Sequence, residues 1–228
     1  MSSTIIDLEN VGKTYEMGDT TVEALKGSNV EIEEGEFVAV MGPSGSGKST
    51  LMNMIGALDT PSSGEVFVGE EAISGLEEDE LALLRSEKIG FIFQQFNLIP
   101  SMNATENVAL PMLFRGVSKK ERTERAEEIL TRVGLGERLH HMPSELSGGQ
   151  RQRVSIARSL ANDPDIILAD EPTGNLDSET GENIMDLLTE LNEEGKTIIM
   201  VTHDENDAEY ADRIIKIVDG KTNVGDIE

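Results

Sequence analysis

Gly42-Pro43-Ser44-Gly45-Ser46-Gly47-Lys48-Ser49-Thr50 is the most informative run in the sequence. A short apolar run, Phe37–Met41, precedes it, and Leu51–Ile55 after it reads as the opening of a helix. Strand, glycine loop, helix is the order in which G-x-x-x-x-G-K-[ST] acquires a meaning as a phosphate-binding loop. The glycines let successive backbone N–H groups turn inward as a concave nest for an anion. The helix that follows adds the positive end of its dipole to the same anion. In that arrangement Lys48 reaches the β- and γ-phosphates of a nucleotide, and the Ser49 hydroxyl ligates Mg²⁺. The plain alternative is an ordinary Gly/Ser turn before a core helix.

The bulk of the chain sets limits on what such a loop could serve. With 228 residues, one large domain or one domain with a sizeable insert is expected, and 37% hydrophobic residues are enough for a core. No apolar run approaches the ~20 residues of a membrane helix. The N-terminal Met1-Ser2-Ser3-Thr4-Ile5-Ile6-Asp7 lacks the basic and long apolar parts of a signal peptide. The expected location is therefore the cytoplasm, unless a partner holds the protein at a membrane. Cysteine is absent, which excludes disulfides and thiolate metal sites.

Charge is the unusual feature: 44 acidic against 19 basic residues, a net charge of −25. No basic face advertises a nucleic acid. The acid is spread along the chain, as in Glu31-Ile32-Glu33-Glu34, Glu77-Glu78-Asp79-Glu80 and Asp204-Glu205-Asn206-Asp207. So much like charge repels itself, and molar salt, with a Debye length of ~3 Å, removes most of that repulsion. The composition resembles that of proteins from salt-accumulating prokaryotes; a merely acidic mesophilic protein is the alternative.

Taken in order, residues 3–11 read as an opening strand, with Gly12-Lys13-Thr14-Tyr15 leaving it for a polar loop. A Tyr there is commonly surface packing, or in the right fold a stacking platform for a purine. Strands are expected at 29–32, 37–41, 63–69 and 89–93, with a first helix from the glycine loop to about residue 58 and another over 76–88. From about 97 to 160 helical patterns dominate. The clearest begins at Ser118, where Ser118 and Glu121 fit a capping box, Ala126, Ile129, Leu130 and Val133 follow at helical spacing, and Gly134 stands where the helix would stop. The strand-and-helix pattern then resumes at 166–169. A helix carrying Ile184, Leu187, Leu188 and Leu191 on one face comes next, then strands at 197–201 and 214–218. The expectation is a strand-and-helix core interrupted by a helical subdomain, in one domain.

Ile166-Ile167-Leu168-Ala169-Asp170-Glu171 is an apolar strand ending in two carboxylates. It delivers them at its C-terminal edge, where α/β proteins hold ligands. Asp170 is placed to hold Mg²⁺, directly or through water, and Glu171 to orient and deprotonate a water for in-line attack on a γ-phosphate. Alone, such a string is often just a strand end entering solvent; its meaning comes from the glycine loop in the same chain. Leu146-Ser147-Gly148-Gly149-Gln150 carries the remaining information. Locally Ser147 and Gln150 make a capping box for the helix over 151–160. Two glycines in a first helical turn cost ~1 kcal/mol each relative to Ala, which calls for a backbone or a phosphate in close approach. A Ser hydroxyl and bare N–H groups at a helix N-terminus form a second anion site. One chain thus carries two half-sites for a triphosphate, and both are used if two copies pair head to tail.

With these motifs assembled, the sequence is similar over nearly its whole length to the ATP-binding subunits of ABC transporters. The likeness rests on Gly42–Thr50, the Gln94 loop, Leu146–Gln150, Ile166–Glu171, Asn175-Leu176-Asp177 and His203, in this order. A finer likeness, to subunits of lipoprotein-releasing, macrolide-exporting and FtsE-type systems, rests on the stretches 93–100, 104–111 and 143–150. The resemblance implies a P-loop NTPase core over 1–95 and 161–228, with a mixed sheet flanked by helices and an antiparallel part near the N-terminus, and a helical signature subdomain over 96–160. It implies Tyr15 stacking on adenine, Gln94 touching Mg²⁺ or the attacking water, and His203 reaching the γ-phosphate beside Glu171. It also implies Asp177 at a dimer interface, and Ser147, Gly148, Gly149 and Gln150 meeting the nucleotide of the other copy. Lys48 then acts on the transferred phosphate, with Ser49, Gln94 and Asp170 as the Mg²⁺ set.

ATP and Mg²⁺ are the implied ligands. The implied partners are a membrane permease and a second copy formed on ATP, with no nucleic acid and no direct insertion into lipid. The implied location is peripheral, on the inner face of the membrane. A switched regulator of division or cell-wall assembly and a DNA-repair ATPase are the alternatives; the latter would want a coiled-coil insertion, zinc cysteines or a basic face, which this chain lacks. Arg151 stands where many relatives have Gln, and it is expected to alter only the outer surface of its helix. The adjacent His140 and His141 are not expected to form a metal site.

Overall fold

The computed structural model describes residues 3–18 and 20–226. It forms two compact units, one from the described residues up to Arg85 together with those from Asn192 onward, the other from Ser86–Leu191.

The first unit opens with two long antiparallel strands, β1 (Thr4–Met17) and β2 (Thr20–Glu33), followed by β3 (Phe37–Met41) and the helix α1 (Lys48–Ile55). β4 (Ser63–Val68), β5 (Glu71–Ala72) and the start of the helix α2 (Glu78–Lys88) complete its N-terminal part. β1, β2, β4 and β5 make an antiparallel sheet in the order β2-β1-β4-β5. Ile6, Leu8, Leu25, Val30, Ile32, Val66 and Val68 are buried from its strands. β1 continues past Gly12, where a polar loop was expected, so Tyr15 lies on a strand. Alternation failed as a guide because β4 reaches only as far as Ser63, opposite Gly12. Beyond that point β1 and β2 form a two-stranded ribbon with little core to bury. The pairing also slips: Lys13 faces Leu25 but Thr14 faces Glu23, which leaves Ala24 as an extra residue, a bulge on β2.

The other sheet part of this unit is mixed. β3 is flanked by two parallel neighbours, β8 (Thr197–Val201) and β9 (Arg213–Val218), and β10 (Lys221–Asp226) pairs antiparallel with β9. The short helix α7 (Glu205–Ala208) lies between β8 and β9 in the chain. β10 has no counterpart in the expected strands: an edge strand reading Lys-Thr-Asn-Val-Gly-Asp carries no apolar alternation.

The second unit holds the parallel pair β6 (Ile89–Phe93) and β7 (Ile166–Asp170), with Phe93 opposite Asp170, and four helices. These are α3 (Ala104–Phe114), α4 (Lys119–Arg132), α5 (Gly148–Ser159) and α6 (Ser178–Glu193), the last carrying the chain back into the first unit. Both expected capping boxes form: Ser118 with Glu121 on α4, Ser147 with Gln150 on α5. Each closes orphan N–H groups for ~1 kcal/mol. Asn103 and Glu106 form a third, on α3. Asn107 is fully buried and works as a staple, its amide bonding the backbone of Ile99, Met102 and Asn103. The expected apolar face of α6 is buried.

β6 packs directly on the backbone of α5. A Cβ on Gly90 would come within 2.6 Å of the Ser159 carbonyl oxygen and 3.1 Å of Pro164. Gly90→Ala should therefore destabilise the protein by ~1–3 kcal/mol, read as a lower midpoint in denaturant unfolding with an unchanged slope. Charge gives a second expectation. Glu31, Glu33, Glu34 and Glu77–Glu80 are all exposed. Raising KCl from ~0.1 M to ~1 M shortens the Debye length from ~10 Å to ~3 Å, so the thermal midpoint should rise. A midpoint flat across that range would show that surface repulsion does not limit stability.

Candidate active site

The loop 42–47 leaves β3 and enters α1 in a conformation only glycine permits at two points. A Cβ on Gly42 would overlap the Ile217 carbonyl oxygen, and one on Gly47 (φ 109°) would lie 2.6 Å from the Ala24 carbonyl oxygen. Gly220 N donates to the Ser46 carbonyl at 2.9 Å, and Lys26 N donates to the Gly220 carbonyl at 2.8 Å. The loop is thus pressed from behind by β9, by the turn before β10 and by the bulge in β2. Its front is open: a Cβ on Gly45 would meet nothing within 4 Å. Before it lies a cavity of about 300 Å³ lined by Gly45, Gly47, Lys48, Ser49, Thr50 and, on the β2 side, Val22. No side chain caps α1, so its first N–H groups have no side-chain acceptor. Lys48 Nζ folds over the loop, donating to the carbonyls of Gly42 at 2.7 Å and Pro43 at 3.0 Å. The Ser46 hydroxyl is buried without a hydrogen-bond partner. A cradle with an open front, uncapped amides and an orphaned buried hydroxyl fits a phosphate chain.

His203 follows β8 and is exposed. It lines a cavity of about 540 Å³ together with Met41, Gly42 and Pro43, so this unit brings it beside the start of the glycine loop. Tyr15 lies opposite Val22, the residue that edges the loop's cavity.

In the second unit, Gln94, Asp170 and Glu171 come together at the C-terminal edge of two neighbouring strands. Phe93 pairs with Asp170, so Gln94 and Glu171 both leave the sheet at the same level. Asn175 Nδ2 donates to the Gln94 carbonyl at 2.8 Å, and a Cβ on Gly174 would lie 2.7 Å from Gln94 Nε2. Glu171 has φ 44°, a left-handed backbone unusual for a residue with a side chain and frequent at functional sites. Gln152, which sequence reasoning missed, is fully buried on α5 and donates from Nε2 to the Pro172 carbonyl at 2.6 Å, tying that helix to the residue after Glu171. Its signal was available as a polar residue on the buried face of a capped helix. The oxygen donors Ser49, Gln94 and Asp170 suit Mg²⁺ by chemistry.

The signature stretch has a local explanation as well. Ser147 Oγ accepts from Gln150 N at 3.2 Å, and Gln150 Oε1 accepts from Ser147 N at 3.0 Å. A Cβ on Gly149 would overlap the Thr180 methyl, and one on Gly148 would lie 3.2 Å from Leu176 Cδ2. Packing against the segment that starts α6 therefore requires Gly149 to be glycine within one chain. Asp177 caps α6, its carboxylate accepting from Thr180 N at 3.0 Å and Thr180 Oγ1 at 2.8 Å, and these bonds hold its carboxyl below the usual carboxylate range. Arg151 does not merely decorate the outside of α5. Its guanidinium sits 5.2 Å from the Phe96 ring centroid, while Arg158 bonds the carbonyls of Phe96 and Asn97 at 2.8 and 2.6 Å. Two arginines of α5 thus hold the turn that follows Gln94. His141 Nε2 lies 3.0 Å from Arg138 Nη1.

A model of the ABC transporter family matches residues 25–174. An uncharacterised ABC transporter ATP-binding protein of Methanocaldococcus jannaschii, MJ0796, is 57% identical over 95% of this chain and 94% of its own. One from Bacillus subtilis is 54% identical over the same shares. The macrolide export ATP-binding/permease protein MacB of Wolinella succinogenes is 54% identical over 97% of this chain, which spans 34% of that longer protein. Among solved structures, the dimeric post-hydrolysis state of MJ0796 bound to ADP and Pi superposes with a TM-score of 0.89 at 52% identity, covering 98% of this chain and 99% of that one. The family resemblance read from the motifs is correct: the chain belongs to the ABC transporter family, as one of its ATP-hydrolysing ATP-binding cassettes.

Proposed function

We propose that the protein binds Mg·ATP, closes with a second copy into a head-to-tail pair with two nucleotides at the interface, and drives a separate membrane permease of the export or lipoprotein-release kind. The observation that carries this reading is the glycine cradle, pressed from behind by carbonyls and open in front onto a cavity beginning at Lys48, Ser49 and Thr50. Residues 1–95 and 161–228 serve as the nucleotide-binding core and 96–160 as the signature subdomain.

The roles follow from the chemistry of each group. The N–H groups from Gly42 to Thr50, contributed by Gly42, Ser44, Gly45, Ser46, Gly47, Lys48, Ser49 and Thr50, hold the phosphates, and Pro43 shapes the loop. Lys48 exchanges its two carbonyl acceptors for phosphate oxygens, a stronger, charge-assisted bond. Ser49, Asp170 and Gln94 would be the oxygen donors to Mg²⁺, which would neutralise charge on the phosphate oxygens. Glu171 takes the proton of the water that attacks the γ-phosphorus as the bond to the bridging oxygen breaks, and His203 fixes that geometry. Ser147, Gly148, Gly149 and Gln150 meet the nucleotide of the other copy, with Asp177 at the interface. Each nucleotide touches both copies, so it favours the closed pair by its differential affinity.

Docking to a permease is supported by Leu113 and Phe114 at the end of α3, which are 46% and 81% exposed, and by a cavity of about 430 Å³ between α3 and α4. Such docking would hold the protein on the inner face of the membrane.

Light scattering after gel filtration of Glu171→Gln in molar KCl tests the pairing. With ATP the mass should move from one copy, 24.8 kDa, to two, and without ATP it should stay at one. Adding Ser147→Arg should abolish the shift. A dimer that forms without nucleotide, or survives Ser147→Arg, would rule out the second half-site; unchanged ATP turnover in Glu171→Gln would rule out its role as base.

A further inference from the structure

We propose that Lys13 and Asp59 are positioning residues that clamp the Tyr15 ring as a one-sided platform for the purine of the nucleotide. The inference rests on the ATP-site reading above and adds to it the groups that set the platform.

Tyr15 stands on a ribbon with few core contacts, where an unassisted ring would sample several rotamers. Two contacts to the ring, and the bonds that hold their partners, remove that freedom. Tyr15 Oη donates to Asp59 Oδ2 at 3.1 Å, which tethers the far end of the ring. Lys13 Nζ lies 5.1 Å from the ring centroid, which covers one face with a cation. Lys13 in turn donates to Asp59 Oδ1 at 2.5 Å and to the Thr60 carbonyl at 2.7 Å, so the cation is fixed and does not swing in solvent. Thr60 N donates to Asp59 Oδ1 at 2.8 Å and holds the carboxylate. The Lys13 side chain is only 12% exposed and that of Asp59 30%, so the pair is screened far less by salt than a surface bridge.

The electrostatics agree with this geometry. Burial works against ionisation of Asp59, yet hydrogen bonds from Lys13 and Thr60 and the Lys13 charge hold its carboxyl below the usual range. Burial and the neighbouring carboxylate push the Tyr15 phenol up, against the opposing Thr50 hydroxyl. One face of Tyr15 is therefore occupied by the protein's own cation, and the other is the face available to a base. Tyr15 pairs across the ribbon with Val22, which is 43% exposed and edges the cavity in front of Lys48 and Thr50. The ring thus stands beside the edge of the cavity in which the phosphates would lie.

A pre-set ring loses little freedom when the base stacks, and releasing one such side chain weakens binding by ~3- to 10-fold. The test is calorimetric titration of wild type, Lys13→Met, Asp59→Asn, the double variant and Tyr15→Ala with Mg·ATP and with magnesium tripolyphosphate, which has no base. Lys13→Met and Asp59→Asn should each raise the Kd for ATP by ~3- to 10-fold. The double variant should be no worse than the weaker single, since both break one clamp. Tripolyphosphate binding should move less than ~2-fold throughout, and in turnover the rise in KM should exceed any fall in kcat. Asp59→Asn keeps the shape of the side chain and so guards against loss of folding in Lys13→Met. If Tyr15→Ala weakens ATP while the other variants do not, or if they weaken tripolyphosphate equally, the clamp is overturned and the stacking role of Tyr15 stands. If Tyr15→Ala leaves ATP binding unchanged, the stacking role itself falls, and the clamp with it.

Discussion

The nucleotide loop depends on backbone carbonyls that press against it where no side chain could stand. Ile217 O behind Gly42 and Ala24 O behind Gly47 leave room for a hydrogen atom only. Each belongs to a different strand, β9 and β2, so the antiparallel ribbon and the parallel part of the first unit both end on the same six residues. A hydrogen bond from Gly220 to the Ser46 carbonyl closes the rear of the loop. The rear of the loop is thus set by the backbone of the fold itself, which is preorganisation in the electrostatic sense.

The same economy appears in the second unit, where one helix serves several parts of the site. α5 begins at the Ser147 cap, holds Pro172 through Gln152, and holds the turn after Gln94 through Arg151 and Arg158. A shift of that helix would move the signature end, the Glu171 segment and the Gln94 segment together, because the bonds are to backbone or ring and leave little slack. Glu171 itself sits in a left-handed conformation, which the bonds on either side of it over-determine.

Charge acts on a different scale. Forty-four carboxylates dispersed over 228 residues set a general repulsion, yet the site groups are governed by neighbours at hydrogen-bond distance. Asp59 and Asp177 are both held ionised by specific donors, Lys13 and Thr60 in one case and Thr180 in the other. Bulk salt changes the first effect and hardly touches the second.

The glycine loop, the carboxylate strand, the caps of α4 and α5 and the apolar face of α6 were legible in the sequence, because each is a local pattern in which spacing along the chain is spacing in space. The sequence also carried the family, since six such motifs stand in order. It could not reveal that Tyr15 lies on a strand, because a ribbon without a core behind it shows no apolar alternation, nor that β10 exists, because an edge strand needs only one neighbour and no buried face. It read the glycines of the signature as calling for a backbone or a phosphate in close approach, and did not show that the Thr180 methyl, thirty-one positions later, packs against Gly149. It set Arg151 on an outer surface and gave no role to Lys13, Asp59 or Gln152. Arg151, Asp59 and Gln152 act on residues distant in the chain, Phe96, Tyr15 and Pro172, and Lys13 is held over its near neighbour Tyr15 by the distant Asp59 and Thr60; such pairs are fixed by packing and not by neighbours in sequence.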